Sequence, residues 1–282
     1  VQTCALPIFF WHNQKHPAEM AEEEVTQYLT HLATVRNVAS STQNQALNAL
    51  VFLYGNVLCK PLGKFGEVPR AKRRQTISEC LTPEDAKRIL DALAPEHALP
   101  VRLLYGAGLR LHECVTMRLK DLDFALGRIT VHDSKGGKDR LVPLPKSLAT
   151  ALHDQVGRAT AQHAADARAG IGGVYMPDAL AKKYPSAAKS LAWFWLWPAK
   201  SLSVDPRTGV NRRHHIHDAC LQKAFKSAVS KAGIVGRKIT CHTLRHSFCT
   251  AMLSAGVPLH EVREVMGDRK STRLNSSHDQ RS

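Results

Sequence analysis

The sequence of 282 residues lacks long apolar runs, a signal peptide and any Cys-x-x-Cys pair. A membrane-spanning helix needs about 18 or more consecutive apolar residues, and no stretch approaches that length. No N-terminal segment shows the ordered charged, apolar and small-residue zones of a secretory signal. The seven cysteines form an odd set, which favours reduced thiols in a core over a disulfide framework or a thiolate zinc site. We therefore expect a cytoplasmic protein with no membrane partner.

Acidic residues are scarce relative to basic ones. The chain has 24 Asp and Glu against 39 Lys and Arg, a formal net charge of +15, and its 44% hydrophobic content suffices for a core. Residues 1–59 hold only two cations against four glutamates, so the excess lies further along. Residues 60–75 combine basic residues with Gly and Pro, which is typical of a linker. Such a field attracts polyanions, above all nucleic acid, and simple solubility is the alternative.

The spacing of apolar residues predicts two domains. Before the linker, residues 25–35 and 47–58 show helical periodicity, which indicates a small helical domain. After it, Thr82-Pro83 offers a helix cap followed by proline at the first helical position. Residues 128–134 and 139–144 alternate like strands around a glycine turn, which predicts one short hairpin. Further helices are predicted at residues 82–93, 146–168, 218–231, 243–255 and 258–266. The predicted fold class is mainly α with a small antiparallel β-sheet.

Four basic residues lie at positions where the local structure would expose their side chains to a ligand. Arg110 follows a glycine-containing turn, and Lys135 lies on the predicted hairpin tip. His242 and Arg245 are three residues apart at a helix start and are expected on one face. Guanidinium forks grip phosphate oxygens, so these side chains together could stabilise a phosphoryl-transfer transition state without a metal.

Three segments carry a family resemblance in the same order along the chain. They are residues 105–113 (YGAGLRLHE), 134–140 (SKGGKDR) and 242–248 (HTLRHSF). The sequence resembles the tyrosine recombinases from about residue 9 to residue 267. The resemblance implies that family's two-domain fold, with a helical core-binding domain, a DNA-binding module, followed by a catalytic domain. The implied divisions are a partial core-binding domain at 9–59, a basic linker at 60–75 and a catalytic domain at 76–267.

An insert at about residues 170–209 resembles the region peculiar to integron integrases. The similar segments are 177–185 (PDALAKKYP), 205–209 (DPRTG) and, just after it, 212–215 (RRHH). That family integrates and excises gene cassettes at sites that include a folded single-stranded hairpin with extrahelical bases. Residues 193–197 (WFWLW) must either pack the insert or be offered to such a partner. The predicted DNA-binding residues are Lys182, Lys183, Trp195, Arg212, Arg213, His214 and His215.

The resemblance also implies roles for the catalytic residues. A tyrosine attacks the scissile phosphate and forms a 3′-phosphotyrosyl bond, so no nucleotide cofactor is needed. Arg110 and Arg245 would hold the non-bridging oxygens, Lys135 would protonate the departing 5′-oxygen, and His242 would act as acid or base. Glu113 would orient a guanidinium or merely form a surface ion pair. The intact family member is expected to form a homo-tetrameric synapse on DNA.

The sequence departs from the family pattern after residue 267. The family continues with a histidine and then the tyrosine nucleophile, whereas Asp268 follows Gly267 here and all five tyrosines precede Arg245. We expect residues 1–8 to be a non-native leader and residues 268–282 a non-native or disordered tail, so that the chain alone would be inactive. The alternative for the tail is natural divergence.

Two other functions fit parts of the sequence. One is a non-cleaving DNA-binding module of the same fold, which would bind DNA in a salt-dependent way without forming a covalent adduct. The other is a metal site built from histidines and cysteines between residues 214 and 242. The spacing of those residues lacks paired ligands, so we predict no metal.

Overall fold

The computed structural model describes residues 2–63, 69–71, 79–134 and 138–267. The chain divides into two units, residues 1–77 and 78–282. Most of the predicted linker at 60–75, the hairpin tip with Lys135, and the predicted tail at 268–282 lie outside the described residues. Each unit has its own hydrophobic core.

The first unit is helical. Its helices are α1 (Gln2–Trp11), α2 (Glu22–Thr34) and α3 (Ser40–Phe52), and a π-helical turn at Leu53–Val57 follows α3. Apolar side chains from all of these elements form the core, including Ile8, Leu29 and Leu50, which are at most 1% exposed. Tyr54 is also buried, and its hydroxyl donates to the Pro17 carbonyl at 2.8 Å. Ile8, from the segment expected to be a leader, is therefore a core residue of this unit.

Eight helices account for about half of the described part of the second unit. They are α4 (Pro83–Asp91), α5 (Pro95–Ala107), α6 (Leu111–Val115), α7 (Ala149–Arg168), α8 (Asp178–Lys183), α9 (Asp218–Lys231), α10 (Cys241–Ser254) and α11 (Leu259–Met266). The Thr82 hydroxyl accepts from the Asp85 amide at 3.1 Å and caps α4, as the sequence predicts. Leu104, Phe225 and Leu244, from α5, α9 and α10, are fully or almost fully buried in one core.

The described part of the second unit also contains two small antiparallel sheets. The first has the order β1 (Leu122–Asp123), β2 (Arg128–Ser134) and β3 (Lys138–Pro143). The second pairs β4 (Pro198–Val204) with β5 (Asn211–His215). The fold class is therefore mainly α with small antiparallel sheets, as predicted. The prediction of a single hairpin was wrong, because only residues 201–204 of β4 alternate between polar and apolar, and the apolar Leu202 and Val204 are exposed rather than packed against a core.

The insert packs on the rest of the second unit through its tryptophans. Trp197 and the neighbouring Leu196 belong to the main core, whereas Trp195 packs with Phe194 and Val174 in a smaller cluster. The peptide carbonyl of Met117 accepts from the Leu196 amide at 2.9 Å. Most of the tryptophan run therefore serves packing, one of the two alternatives that the sequence leaves open.

In the ranges that the structure describes, no helix combines the length and apolar character that crossing a membrane requires. Across those same ranges, no three or more His, Cys, Asp and Glu side chains lie close enough together to hold a metal ion.

Candidate active site

Arg110 stands at a junction between two helices. Helix α5 ends at Ala107, Gly108 caps it with φ of 59°, and Arg110 is the N-cap of α6. Glu113, one turn into α6, accepts from the Arg110 amide at 2.8 Å and from the Arg110 guanidinium Nη1 at 2.7 Å. The side chain of Arg110 stays 24% exposed. The junction therefore holds a partly exposed guanidinium in a defined orientation.

Gly108 is required at this junction for two reasons. Its positive φ lies in the left-handed region that residues with a Cβ adopt at a cost. A Cβ at Gly108 would also lie 2.3 Å from Cδ1 of Phe248, on α10. The Gly108 carbonyl accepts from Nη1 of Arg245, also on α10. Glycine thus lets α10 approach the end of α5 closely enough for Arg245 to reach it.

Three arginines converge on the carboxyl end of α11. Arg110, Arg140 and Arg245 each donate from the guanidinium to a backbone carbonyl there. The acceptors are, in that order, Gly267 at 3.4 Å, Val265 at 2.8 Å and Met266. The last carbonyls of a helix have no intrahelical partner and carry partial negative charge, which suits guanidinium donors. The structure therefore brings Arg110 and Arg245 together, although 135 positions separate them along the sequence.

Glu113 lies between two of these arginines. Its carboxylate also accepts from Arg140, with Nη1 at 2.8 Å from Oε1 and Nη2 at 2.6 Å from Oε2. Burial opposes the charge, but the hydrogen bonds from Arg140 and Arg110 outweigh it and lower the Glu113 pKa from 4.5 to about 2. This ion cluster therefore stabilises the fold above about pH 4.5, and its contribution is lost as the pH falls toward 2.

The other two predicted catalytic residues differ in what the structure describes. His242 is exposed in the first turn of α10, and its ring lies 5.0 Å from that of His246, centroid to centroid, in an edge-on arrangement. Arg245, predicted on the same face, is only 4% exposed. Lys135 lies outside the described residues, between β2 and β3. The role of each of these residues stays a prediction.

The predicted DNA-binding residues of the insert fall into two groups. Lys182, Lys183 and His214 are exposed. The others are buried or half-buried and engaged in contacts within the chain: Trp195 (3% exposed), Arg213 (7%), His215 (9%) and Arg212. The geometry therefore leaves the first group accessible to a nucleic acid and gives the second group internal contacts.

Arg213 and Arg212 tie the second hairpin to neighbouring segments. The Arg213 guanidinium pairs with Asp166 of α7, at 2.6 Å from Nη2 to Oδ1 and 2.9 Å from Nε to Oδ2. Arg212 donates to the Gly172 carbonyl at 2.6 Å and to Asp205 at 3.2 Å. Burial lowers the pKa of His215 to about 4, so that ring is neutral near pH 7.

Sequence reasoning missed Arg118, which anchors the insert. Its guanidinium carbon lies 3.8 Å from the ring centroid of Trp195 and 5.3 Å from that of Trp193. It donates to the carbonyls of Trp193 at 2.6 Å and Tyr175 at 2.9 Å. Burial lowers its pKa to about 10. No local sequence pattern around Arg118 predicts this role, because both tryptophans lie more than 70 positions away along the chain.

Arg140 was also missed, although the sequence holds a signal for it. Along β3 and just after it, Arg140, Val142 and Leu144 alternate as buried positions with exposed neighbours. Arginine therefore occupies a place where a strand facing a core normally carries an apolar residue. A charge at such a position needs a partner, and Glu113 is that partner.

Comparison with known proteins identifies the family of the chain. Residues 79–275 match the phage integrase family, and residues 6–64 match the N-terminal SAM-like domain of phage integrases. An "Integrase/recombinase" of Escherichia coli is 46% identical over 257 residues, which cover 91% of this chain and 76% of that protein.

Solved structures share the fold. The Tn1549 transposon integrase, in complex with circular intermediate DNA, aligns with a TM-score of 0.55 at 16% identity, over 91% of this chain and 80% of that one. The XerH site-specific recombinase, bound to palindromic difH substrate, aligns with a TM-score of 0.54 at 16% identity, over 89% and 64%. Together with the match over most of the chain, these findings establish that the protein belongs to the phage integrase family of tyrosine recombinases.

Proposed function

We propose that this chain carries the phosphate-binding residues of a site-specific DNA recombinase of the integron-integrase type, which integrates and excises gene cassettes in the cytoplasm. The observation that supports this most is the convergence of Arg110 and Arg245 on the end of α11. Two guanidiniums at one place suit the two non-bridging oxygens of a scissile phosphate. Arg245 is 4% exposed and donates to the Gly108 and Met266 carbonyls, so it would exchange one of these contacts for a phosphate oxygen. The likeness of the insert to that of integron integrases supports the finer assignment.

The proposed reaction keeps the energy of the broken bond. A tyrosine hydroxyl attacks the scissile phosphorus, the bond to the 5′-oxygen breaks, and the strand stays attached as a 3′-phosphotyrosyl ester. Arg110 and Arg245 offset the charge that develops on the phosphoryl oxygens. Lys135 donates the proton that the departing 5′-oxygen takes up, and His242 moves a proton as acid or base. Attack by another 5′-hydroxyl reverses these steps and rejoins the strands without a cofactor.

The proposed partner is DNA, held by both units. Residues 9–59 would act as the core-binding domain and residues 76–267 as the catalytic domain. The exposed Lys182 and Lys183 of α8 would contact backbone phosphates, and His214 on β5 would stack on a base. A tetramer of such chains would pair two recombination sites.

Trapping a covalent adduct tests this proposal. No tyrosine follows Tyr184 in the sequence, so the assay uses the chain fused after Gly267 to the corresponding C-terminal segment of the E. coli relative. The DNA is a hairpin-folded cassette end with a nick just 3′ of the scissile phosphate, so that the short 5′-hydroxyl fragment diffuses away. A gel-stable adduct is expected, and Arg110→Ala or Arg245→Ala should each slow its formation by on the order of 100-fold or more.

A matched control separates catalysis from general loss of charge. Arg102→Ala removes an exposed arginine of α5 and should leave the rate of adduct formation unchanged. Adducts that form equally well with Arg110→Ala and Arg245→Ala would remove these residues from the mechanism. Salt-dependent binding without any adduct would favour the non-cleaving DNA-binding module instead. An adduct with duplex sites but never with folded hairpins would refute the integron-type assignment.

A further inference from the structure

Arg140 is buried among groups that use its guanidinium fully. Its side chain is 6% exposed, compared with 24% for Arg110. Its two terminal nitrogens form an end-on fork with the Glu113 carboxylate, at 2.8 and 2.6 Å. Its Nε donates to the Val265 carbonyl at 2.8 Å. Arg140 therefore uses all three guanidinium nitrogens in contacts within the chain, whereas Arg110 keeps part of its side chain exposed.

Glu113 connects Arg140 to Arg110. One carboxylate oxygen, Oε1, accepts from Nη1 of both arginines, at 2.7 Å for Arg110 and 2.8 Å for Arg140. A carboxylate with a single cationic partner would neutralise that partner. Because Arg140 supplies a second positive charge, the Glu113 carboxylate and two guanidiniums together keep a net charge of about +1. That surplus is available at the more exposed member, Arg110.

The end of α11 leaves space for Arg140. A Cβ at Gly267 would lie 2.9 Å from Cδ of Arg140 and 3.2 Å from its Nε. Gly267 also has φ of 59° as the cap of the helix. Its glycine thus permits both the turn that ends α11 and the close approach of Arg140. The fork to Glu113 and the bond to Val265 fix Arg140 from two sides.

We propose that Arg140 is a positioning residue: it holds Glu113 so that the Arg110 guanidinium keeps its orientation and its positive charge for a phosphate. This inference rests on the phosphate-binding role proposed for Arg110. Loss of Arg140 leaves Arg110 as the sole cation on the buried Glu113 carboxylate within this cluster. The Glu113 carboxylate then offsets the charge of Arg110 alone, and the attraction of Arg110 for a phosphate falls.

The test uses the 282-residue chain and inorganic phosphate as the probe. Nuclear magnetic resonance of the arginine Nε–H groups reports the phosphate Kd, and ¹³C resonances of the glutamate carboxyls report the Glu113 pKa without any ligand. Arg140→Met is expected to weaken phosphate binding about fivefold or more and to raise the Glu113 pKa above its value of about 2. Arg128→Met is the matched control, because Arg128 pairs with Asp123 on the same sheet; it should change neither quantity.

A double substitution distinguishes positioning from a merely structural role. In an Arg110→Ala background, Arg140→Met should change the residual phosphate Kd no further, because the effect passes through Arg110. Arg140→Lys keeps the charge without the fork and should recover part of the affinity, and it also serves if Arg140→Met does not fold. Effects of the two substitutions that multiply, or an unchanged Kd in both Arg140 variants, would overturn the inference.

The two measurements also separate this inference from the proposed function. If the wild-type chain binds no phosphate at Arg110, the proposed function fails. In that case the Glu113 pKa and the Arg110 Nε–H resonance of the ligand-free chain still test the positioning role. Both should shift in Arg140→Met. If neither shifts, the positioning role fails too. If phosphate binds and Arg140→Met leaves its Kd unchanged, the inference fails while the proposed function stands.

Discussion

Gly108→Ala tests how tightly α10 and the end of α5 are packed around Arg245. The left-handed φ of 59° costs an alanine about 1–2 kcal/mol. The new Cβ would lie 2.3 Å from Cδ1 of Phe248, so the ring or a helix must move, at a further cost of about 1–3 kcal/mol. The free energy of unfolding of the second unit should therefore fall by about 2–5 kcal/mol.

Gly127→Ala is the matched control for this substitution. Gly127 has φ of 60°, but no atom lies within 4 Å of a Cβ built there. Its substitution should cost only the backbone term of about 1–2 kcal/mol. The difference between the two variants then measures the contact with Phe248 alone.

Urea unfolding followed by tryptophan fluorescence measures both variants. A Trp11→Phe background removes the tryptophan of the first unit, so the signal comes from the insert. In a Phe248→Ala background, Gly108→Ala should lose the steric part of its cost. A Gly108→Ala variant no less stable than Gly127→Ala, or one that Phe248→Ala does not relieve, would refute this account of the junction.

Three further predictions concern the insert and the buried thiols. Asp166→Leu removes the carboxylate that pairs with the buried Arg213 and should lower the free energy of unfolding by about 3–5 kcal/mol in the same urea assay. Adding Arg213→Met should recover most of this loss, and equal instability of the single and double variants would contradict the prediction. Arg118→Lys loses the planar contacts to the tryptophan rings, so it should red-shift the fluorescence of the folded chain and lower the free energy of unfolding by about 1–2 kcal/mol. An unchanged spectrum would argue against the stacking. Burial raises the pKa of the Cys241 thiol to about 11 and raises that of the Cys114 thiol further. A disulfide-exchange reagent at pH 8 should therefore modify the exposed thiols and spare these two until urea is added. Peptide mapping by mass spectrometry identifies the modified cysteines.

Local signals in the sequence predicted most of the helices. The Thr82-Pro83 pair fixed the start of α4, because a capping hydroxyl and a proline both act within one turn. The alternation at residues 128–134 and 139–144 predicted β2 and β3, because one face of each strand is buried against a core. These features depend on neighbours a few residues away.

The second hairpin and the arginine contacts depend on distant residues. Strand β4 is mostly exposed and its apolar side chains do not face a core, so its pairing with β5 is what makes it a strand. The convergence of Arg110 and Arg245 was predicted from the family resemblance, and its acceptors at the end of α11 were not. The pattern of β3 does predict a buried partner for Arg140, because a cation at a strand position that normally carries an apolar residue needs an opposite charge nearby.

The stacking of Arg118 on Trp195, with Trp193 also nearby, bears on how far the insert can be treated as a detachable module. Deleting the insert would strip a buried guanidinium of its aromatic neighbours and of two carbonyl acceptors at once. It would also uncover the apolar surface that Leu196 and Trp197 now fill. Any attempt to shorten this region, or to graft it onto a relative without it, must therefore redesign position 118 in the same step.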